Sequence, residues 1–208
     1  MRIFITLCLL AWAAAPAAAN PYVTLSYGVT QDSHDFNIWH SRQHRGRRHT
    51  FDAGGSAHDW ALGVGLRCAT LDYELTVFDQ RSETFMAQNG HKTYLTQIET
   101  RGIQIMAWHS LAEHADWTLK GGAGLGYRDS RYVMRGMGTH IRTTDRAPLA
   151  MVGLRMERPV ASHVTFFGDL RGTFRPPVRI ASGGTLRAPL EHDSSGLSLH
   201  IGVQITLN

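Results

Sequence analysis

From Pro21 onward the chain switches between apolar and polar at every second residue, and that period confines it to β structure. "PYVTLSYGVT" puts Val23, Leu25, Tyr27 and Val29 on one face, with Thr24, Ser26 and Gly28 on the other. "DWALGVGLRC" sets Trp60, Leu62, Val64 and Leu66 against Gly63, Gly65 and Arg67. "TLDYELTVF" sets Leu71, Tyr73, Leu75 and Val77 against Asp72, Glu74 and Thr76. "WTLKGGAGLGYR", "APLAMVGLRME", "HVTFFGDLRGTF" and "GLSLHIGVQITL" continue the pattern. Successive side chains of a strand point to opposite faces, so the alternation marks strands with one apolar and one polar side. In "YLTQIETRGIQIMAW" only residues 103–107 alternate cleanly, while Gln97, Glu99 and Arg101 share the face of the isoleucines. That strand is expected to run beyond the apolar layer. Counting it, the sequence predicts eight strands, and no segment after the leader keeps a helical period.

The leader "MRIFITLCLLAWAAAPAAAN" combines a positive start at Arg2, a short apolar run and a small-residue cleavage site. These are the parts of a secretory signal peptide, expected to be cut after Ala19 and to leave residues 20–208 as one barrel domain. Loss of Arg2 reduces 21 basic residues to 20, against 17 acidic, a balance of +3. So mild a charge does not ask for a nucleic-acid partner. Cys68 is the one cysteine left, so no internal disulfide is available. Stability must come from a closed hydrogen-bonded wall or a good core.

The connections alternate in length. Those at residues 31–58, 80–93, 129–145 and 176–194 are long, and those at 68–70, 109–116 and 158–162 are short. Short turns at one end and long loops at the other, with an even strand number, characterise outer-membrane barrels. A soluble exported β-barrel or sandwich holding a small ligand would alternate too, with its faces exchanged. Three features favour the membrane. The polar face is rich in glycine (Gly28, Gly63, Gly65, Gly122, Gly124, Gly126), which suits a narrow lumen where small residues lie beside large ones. Its charges nearly balance, with Arg67, Lys120, Arg155 and Arg171 facing Asp72, Glu74 and Asp169, a set expected to pair inside the lumen. Aromatics gather near strand ends, as interfacial girdles do: Trp60, Phe78, Tyr94, Tyr127 and Phe174 on the long-loop side, Tyr22, Trp108 and Trp117 on the other.

In this arrangement, most clearly in "GGAGLGYR" and "GLSLHIGVQITL", the chain resembles the small eight-stranded outer-membrane proteins of the OmpA, OmpX and opacity type. The resemblance implies an all-β, antiparallel transmembrane barrel with short periplasmic turns, long extracellular loops and an outer-membrane location. Such barrels usually end on an aromatic residue, whereas this chain ends Leu207-Asn208. An eight-stranded lumen is filled by side chains, so little solute diffusion is expected.

"HSRQHRGRRHT", in the first long connection, is the densest basic cluster. His40, His44, His49 and His58 fit no compact ligand set, and the neighbouring arginines repel a cation, so no metal is expected. Arg42, His44, Arg45, Arg47, Arg48 and His49 instead form a candidate anion-binding patch, because the guanidinium fork suits phosphate and sulfate. The partners expected are outer-membrane lipid and lipopolysaccharide, or a host-surface polyanion. Further basic residues fall at the same end: Arg128, Arg131, Arg135, Arg142 and Arg146, then Arg175, Arg179 and Arg187. No cofactor fingerprint or phosphate loop is present, and a monomer is expected. Some barrels of this size modify lipid A, and His192-Asp193-Ser194 beside Glu191 is the one set that invites such chemistry. Even-numbered residues of the last strand should face the lumen, however, away from acyl chains. The stretch also lacks the Asn-Ala that follows His-x-Ser in the lipid A deacylases it would resemble. The expectation is a structural or surface-interacting barrel with no catalytic residues, and a lipid A acyl hydrolase or acyltransferase is the alternative.

Overall fold

The alternating segments become long strands in the computed structural model, which describes residues 20–39, 48–68, 70–83, 85–89, 92–136, 139–180 and 190–207. Side chains are described for residues 20–34, 54–68, 70–83, 86, 95–135, 142–176 and 194–207. The strands are β1 (Asn20–Trp39), β2 (Arg48–Arg67), β3 (Leu71–Ser82), β4 (Phe85–Asn89), β5 (Lys92–His114), β6 (Trp117–Gly136), β7 (Thr139–Ala161), β8 (Val164–Ile180) and β9 (Leu190–Thr206). Every pairing is antiparallel, and β1 bonds to both β2 and β9, which closes the wall. β3 and β4 lie between the same neighbours, β2 and β5, and form one stave, so the barrel has eight. Closure satisfies the backbone laterally, which hydrocarbon demands of any spanning β structure.

The register fixes the tilt. Following partners from Thr30 through Ser198, Arg171, Gly153, Gly122, Trp108, Asp72 and Arg67 leads back to β1 at Asn20, ten residues below the start. For eight staves a stagger of that size corresponds to a tilt of roughly 40°.

The two faces separate by parity. Outside, Leu25, Leu62, Val77, Ile105, Leu125, Val152, Leu170 and Ile201 form an uninterrupted apolar belt, with Leu125 and Ile201 66 and 67 % exposed. Inside lie Thr24, Ser26, Glu74, Gln104, Lys120, Arg155, Asp169 and His200, all buried. A soluble ligand-binding barrel would invert this, and water would not tolerate so large a contiguous apolar surface.

Three girdle assignments change. Tyr22, Phe78 and Trp108 point into the lumen, with Tyr22 and Trp108 each 1 % exposed. Each has the parity of the polar face, and parity outweighs position near a strand end. The outer girdle comprises Tyr27, Trp60, Tyr127 and Phe174, and the inner one Tyr73, Trp117 and Phe166; the Tyr94 side chain lies outside the described residues. The long connections also shrink. β1 runs to Trp39 and β2 starts at Arg48, while β6 and β7 reach Gly136 and Thr139, so the wall stands well above the belt.

Candidate functional site

Inside the belt the lumen charges form a layered network. In the layer nearest the short turns, Lys120 Nζ lies 2.5 Å from Asp72 and 2.8 Å from Glu157, and Arg67 reaches the same two carboxylates at 3.2 and 2.7 Å. Above it, Arg155 donates through Nη1 and Nη2 to Glu74 at 2.8 and 3.1 Å, and through Nη2 to Asp169 at 3.0 Å. Arg171 donates to Asp169 at 2.7 Å. His200 sits between Asp59 and Asp169, its Nε2 and Nδ1 at 2.9 and 3.2 Å from their oxygens. The structure therefore brings together Arg67, Asp72, Glu74, Lys120, Arg155, Asp169 and Arg171, and adds Asp59, Glu157 and His200, which the sequence reading omitted.

Arg155 also explains the aromatics inside. Its guanidinium lies 4.3 Å from the ring centroids of both Trp108 and Phe167, and Arg171 lies 5.8 Å from Trp108. Glycine makes the space: a Cβ on Gly122 would collide with the Trp108 indole, and one on Gly202 with the Phe167 ring. Trp108, Met106, Leu149 and Met151 form a small apolar cluster across the lumen, with Phe78 against it. This plug fills the section between the two layers and the cavity above them. The cavity has an empty volume of about 450 Å³, open solvent included, and Thr30, Gln80, Gln104, Thr173 and Ser198 are among its polar lining.

Arg128 and Arg175, read from the sequence as loop residues, belong to a third lumen layer above the belt. Arg175 Nη2 lies 3.6 Å from Asp32 and its Nη1 donates to Ser194 at 3.1 Å; Arg128 Nη2 lies 3.5 Å from Asp145. Gln80 donates to Asp32 at 3.0 Å. Ser194 is thus turned inward and occupied, while the side chains of Glu191, His192 and Asp193 lie outside the described residues. Among the described residues no group of three His, Cys, Asp or Glu side chains is arranged to hold a metal ion.

On the outside the belt gives way to charge. Register aligns Asp79, Arg101, Asp129 and Arg146 in one row across β3, β5, β6 and β7. Arg101 donates to Asp79 at 2.9 Å and Arg146 to Asp129 at 2.9 Å. The next row holds Arg81, Glu99, Arg131 and Thr144, with Arg131 3.9 Å from Glu99. Higher still, Arg142 stands opposite Val133, and Arg135 opposite Leu95. All of these arginines project outward and are at least partly exposed. Of the first-connection patch, Arg42, His44, Arg45 and Arg47 lie outside the described residues. Arg48 and His49 belong to β2 rather than to a loop, with side chains that are not described.

A closed antiparallel wall, an apolar exterior band between aromatic girdles, and an ion-paired lumen define a transmembrane β-barrel of the bacterial outer membrane. No protein-family model and no curated relative matches the sequence. Among solved structures, the chain is similar to the outer membrane protein OprG of Pseudomonas aeruginosa, at 12 % identity over 91 % of this chain and 96 % of that one, with a TM-score of 0.61. It is similar to Neisserial surface protein A, at 12 % identity over 91 and 99 % of the two chains, with a TM-score of 0.54. Outer membrane protein AlkL gives 12 % identity, 93 and 94 % coverage and a TM-score of 0.54. At such identities the likeness is one of fold.

Proposed function

We propose that this barrel acts by binding at the cell surface rather than by catalysis or solute passage, and that its partners are anions held at its extracellular end. The observation that carries the reading is the excess of outward arginine over carboxylate, among the described residues, in the rows beyond the first above the apolar belt on β3 to β7. Charge at that height meets the phosphates of lipopolysaccharide, and beyond them sulfated or phosphorylated glycans. The Trp108–Arg155–Phe167 stack supports a barrel that does not conduct, since it occupies the middle of the lumen. In the sequence, the basic segment from His40 to Thr50 follows Trp39 of β1 and runs into the start of β2.

The test uses the folded protein in detergent, with lipopolysaccharide and heparin as separate probes across a salt series. Binding should weaken as salt rises, and replacing Arg42, Arg45, Arg47 and Arg48 with serine should weaken it further without altering the heat-modifiable gel band. Binding that ignores both salt and those substitutions would remove the electrostatic reading.

A further inference from the structure

The charge rows on the outer wall are unequal. The first, Asp79, Arg101, Asp129 and Arg146, alternates in sign and neutralises itself through direct pairs. Above it, Arg81 reaches back to Asp79 at 3.5 Å, and Glu99 is the one carboxylate among the described residues near Arg131, at a loose 3.9 Å. No carboxylate among the described residues pairs with Arg135 or Arg142. Register tightens the point. Arg142 lies opposite Val133, so it is the diagonal neighbour of both Arg131 and Arg135 on β6. Diagonal Cβ atoms on adjacent strands are within about 8 Å, inside the reach of long side chains. Three guanidinium groups in such a triangle repel one another unless an anion lies between them.

We infer that Arg131, Arg135 and Arg142 form a binding site for a phosphorylated saccharide of the outer-leaflet glycolipid. The proposal rests on the surface-anion reading and gives it an address. Height selects the ligand. Tyr127 is the last aromatic of the girdle on β6, and Arg131 and Arg135 follow it by four and eight residues. With a rise of roughly 3.3 Å per residue and the barrel's tilt, they stand about 10 and 20 Å above the girdle. That is the level of headgroup sugars and their phosphates, above the acyl chains. Among the described residues, the outward ones beyond the belt on β8, β9 and β1 are Pro176, Ser195, Gln31 and Ser33, none of them charged. A planar fork from each arginine can take a different phosphate oxygen, a geometry lysine cannot reproduce.

The experiment measures binding to the folded full-length barrel in detergent. The probes are deacylated, phosphorylated core oligosaccharide, the same oligosaccharide after phosphatase treatment, whole lipopolysaccharide, and heparin. Arg131→Gln and Arg142→Gln should each weaken binding of the phosphorylated oligosaccharide at least tenfold. Arg101→Gln, in the self-neutralised row, should stay within twofold, and the dephosphorylated oligosaccharide should not bind. The heat-modifiable gel shift checks that each variant is folded. Wild-type binding that survives Arg131→Gln and Arg142→Gln unchanged would overturn the site and leave the broader surface-anion reading intact. Wild type that binds neither the oligosaccharide nor whole lipopolysaccharide nor heparin would end both. Heparin binding without oligosaccharide binding would overturn the assignment to the barrel's own leaflet.

Discussion

Glu74→Gln isolates the central ion pair of the lumen with almost no change of shape. Glu74 is 1 % exposed and takes two hydrogen bonds from Arg155, which also bonds to Asp169. Charges about 4 Å apart attract by roughly 4 kcal/mol at the effective dielectric that fits most protein sites. The amide keeps one acceptor for Arg155 and loses the charge. Asp169 compensates only in part, because it also serves Arg171 and His200. Removing one member of a buried pair commonly costs about 3–5 kcal/mol, and the surviving Asp169 contact places this case near the lower end, at about 3 kcal/mol. That is a large share of a typical net stability of roughly 5–15 kcal/mol. The assay is urea unfolding in lipid vesicles, read from the fraction of heat-modifiable band. Adding Arg155→Met should recover part of the loss, since the double variant no longer buries an undercompensated guanidinium between Trp108 and Phe167. A loss below about 1 kcal/mol for Glu74→Gln would mean that lumen water screens the pair, and the description of the lumen as a dry ion-paired core would fail.

Two further outcomes test the plug and the belt. Trp108→Ala should open the section between the lower ion-pair layers and the cavity, giving ion conductance in a planar bilayer where the parent shows little; equal conductance in both would remove the plug as the barrier. Leu125→Arg, at one of the most exposed belt positions, should cost about 2–4 kcal/mol of folding stability in the same vesicles, and a neutral effect would mean that this surface does not face lipid.

How far the sequence discloses this molecule depends on what sets the period. Inside the membrane, lipid on one side and lumen on the other enforce alternation, so Val23 to Val29 or Leu197 to Ile205 can be read directly. Tyr22, Phe78 and Trp108 obeyed the same parity, yet their place near strand ends suggested a girdle. The inward choice becomes intelligible once Gly65, Gly102 and Gly122 are seen to leave room for the Tyr22, Phe78 and Trp108 rings. Above the membrane each described face mixes polar and apolar residues, Arg128 and Ser130 with Tyr132 and Met134 inside, Asp129 and Arg131 with Val133 outside. The hydrogen-bond ladder continues there while the hydrophobic period disappears, and for that reason Arg128 and Arg175 looked like loop residues. The pairings themselves were beyond a linear reading: Arg155 and Glu74 are 81 residues apart, and His200 and Asp59 are 141 apart. Only the register makes them neighbours.

The same comparison shows what the lumen network does for the fold. A slip of one residue between two strands exchanges inside and outside and is forbidden by the belt. A slip of two restores the parity, leaving the exterior as apolar as before, and lipid cannot distinguish the two registers. The interior can. Displacing β5 on β6 by two residues takes Gly122 out of its place opposite Trp108, whose ring occupies the space that glycine leaves. Displacing β7 on β8 separates Arg155 from Asp169, which stand directly opposite in the native register. The buried charges thus select one register among those the belt allows. The outer surface inherits that choice, because Arg142 adjoins Arg131 and Arg135 only while β7 sits against β6 with Val133 opposite Arg142. A lumen variant that let β6 and β7 slip would therefore disperse the arginine triangle on the outside while leaving every arginine in place.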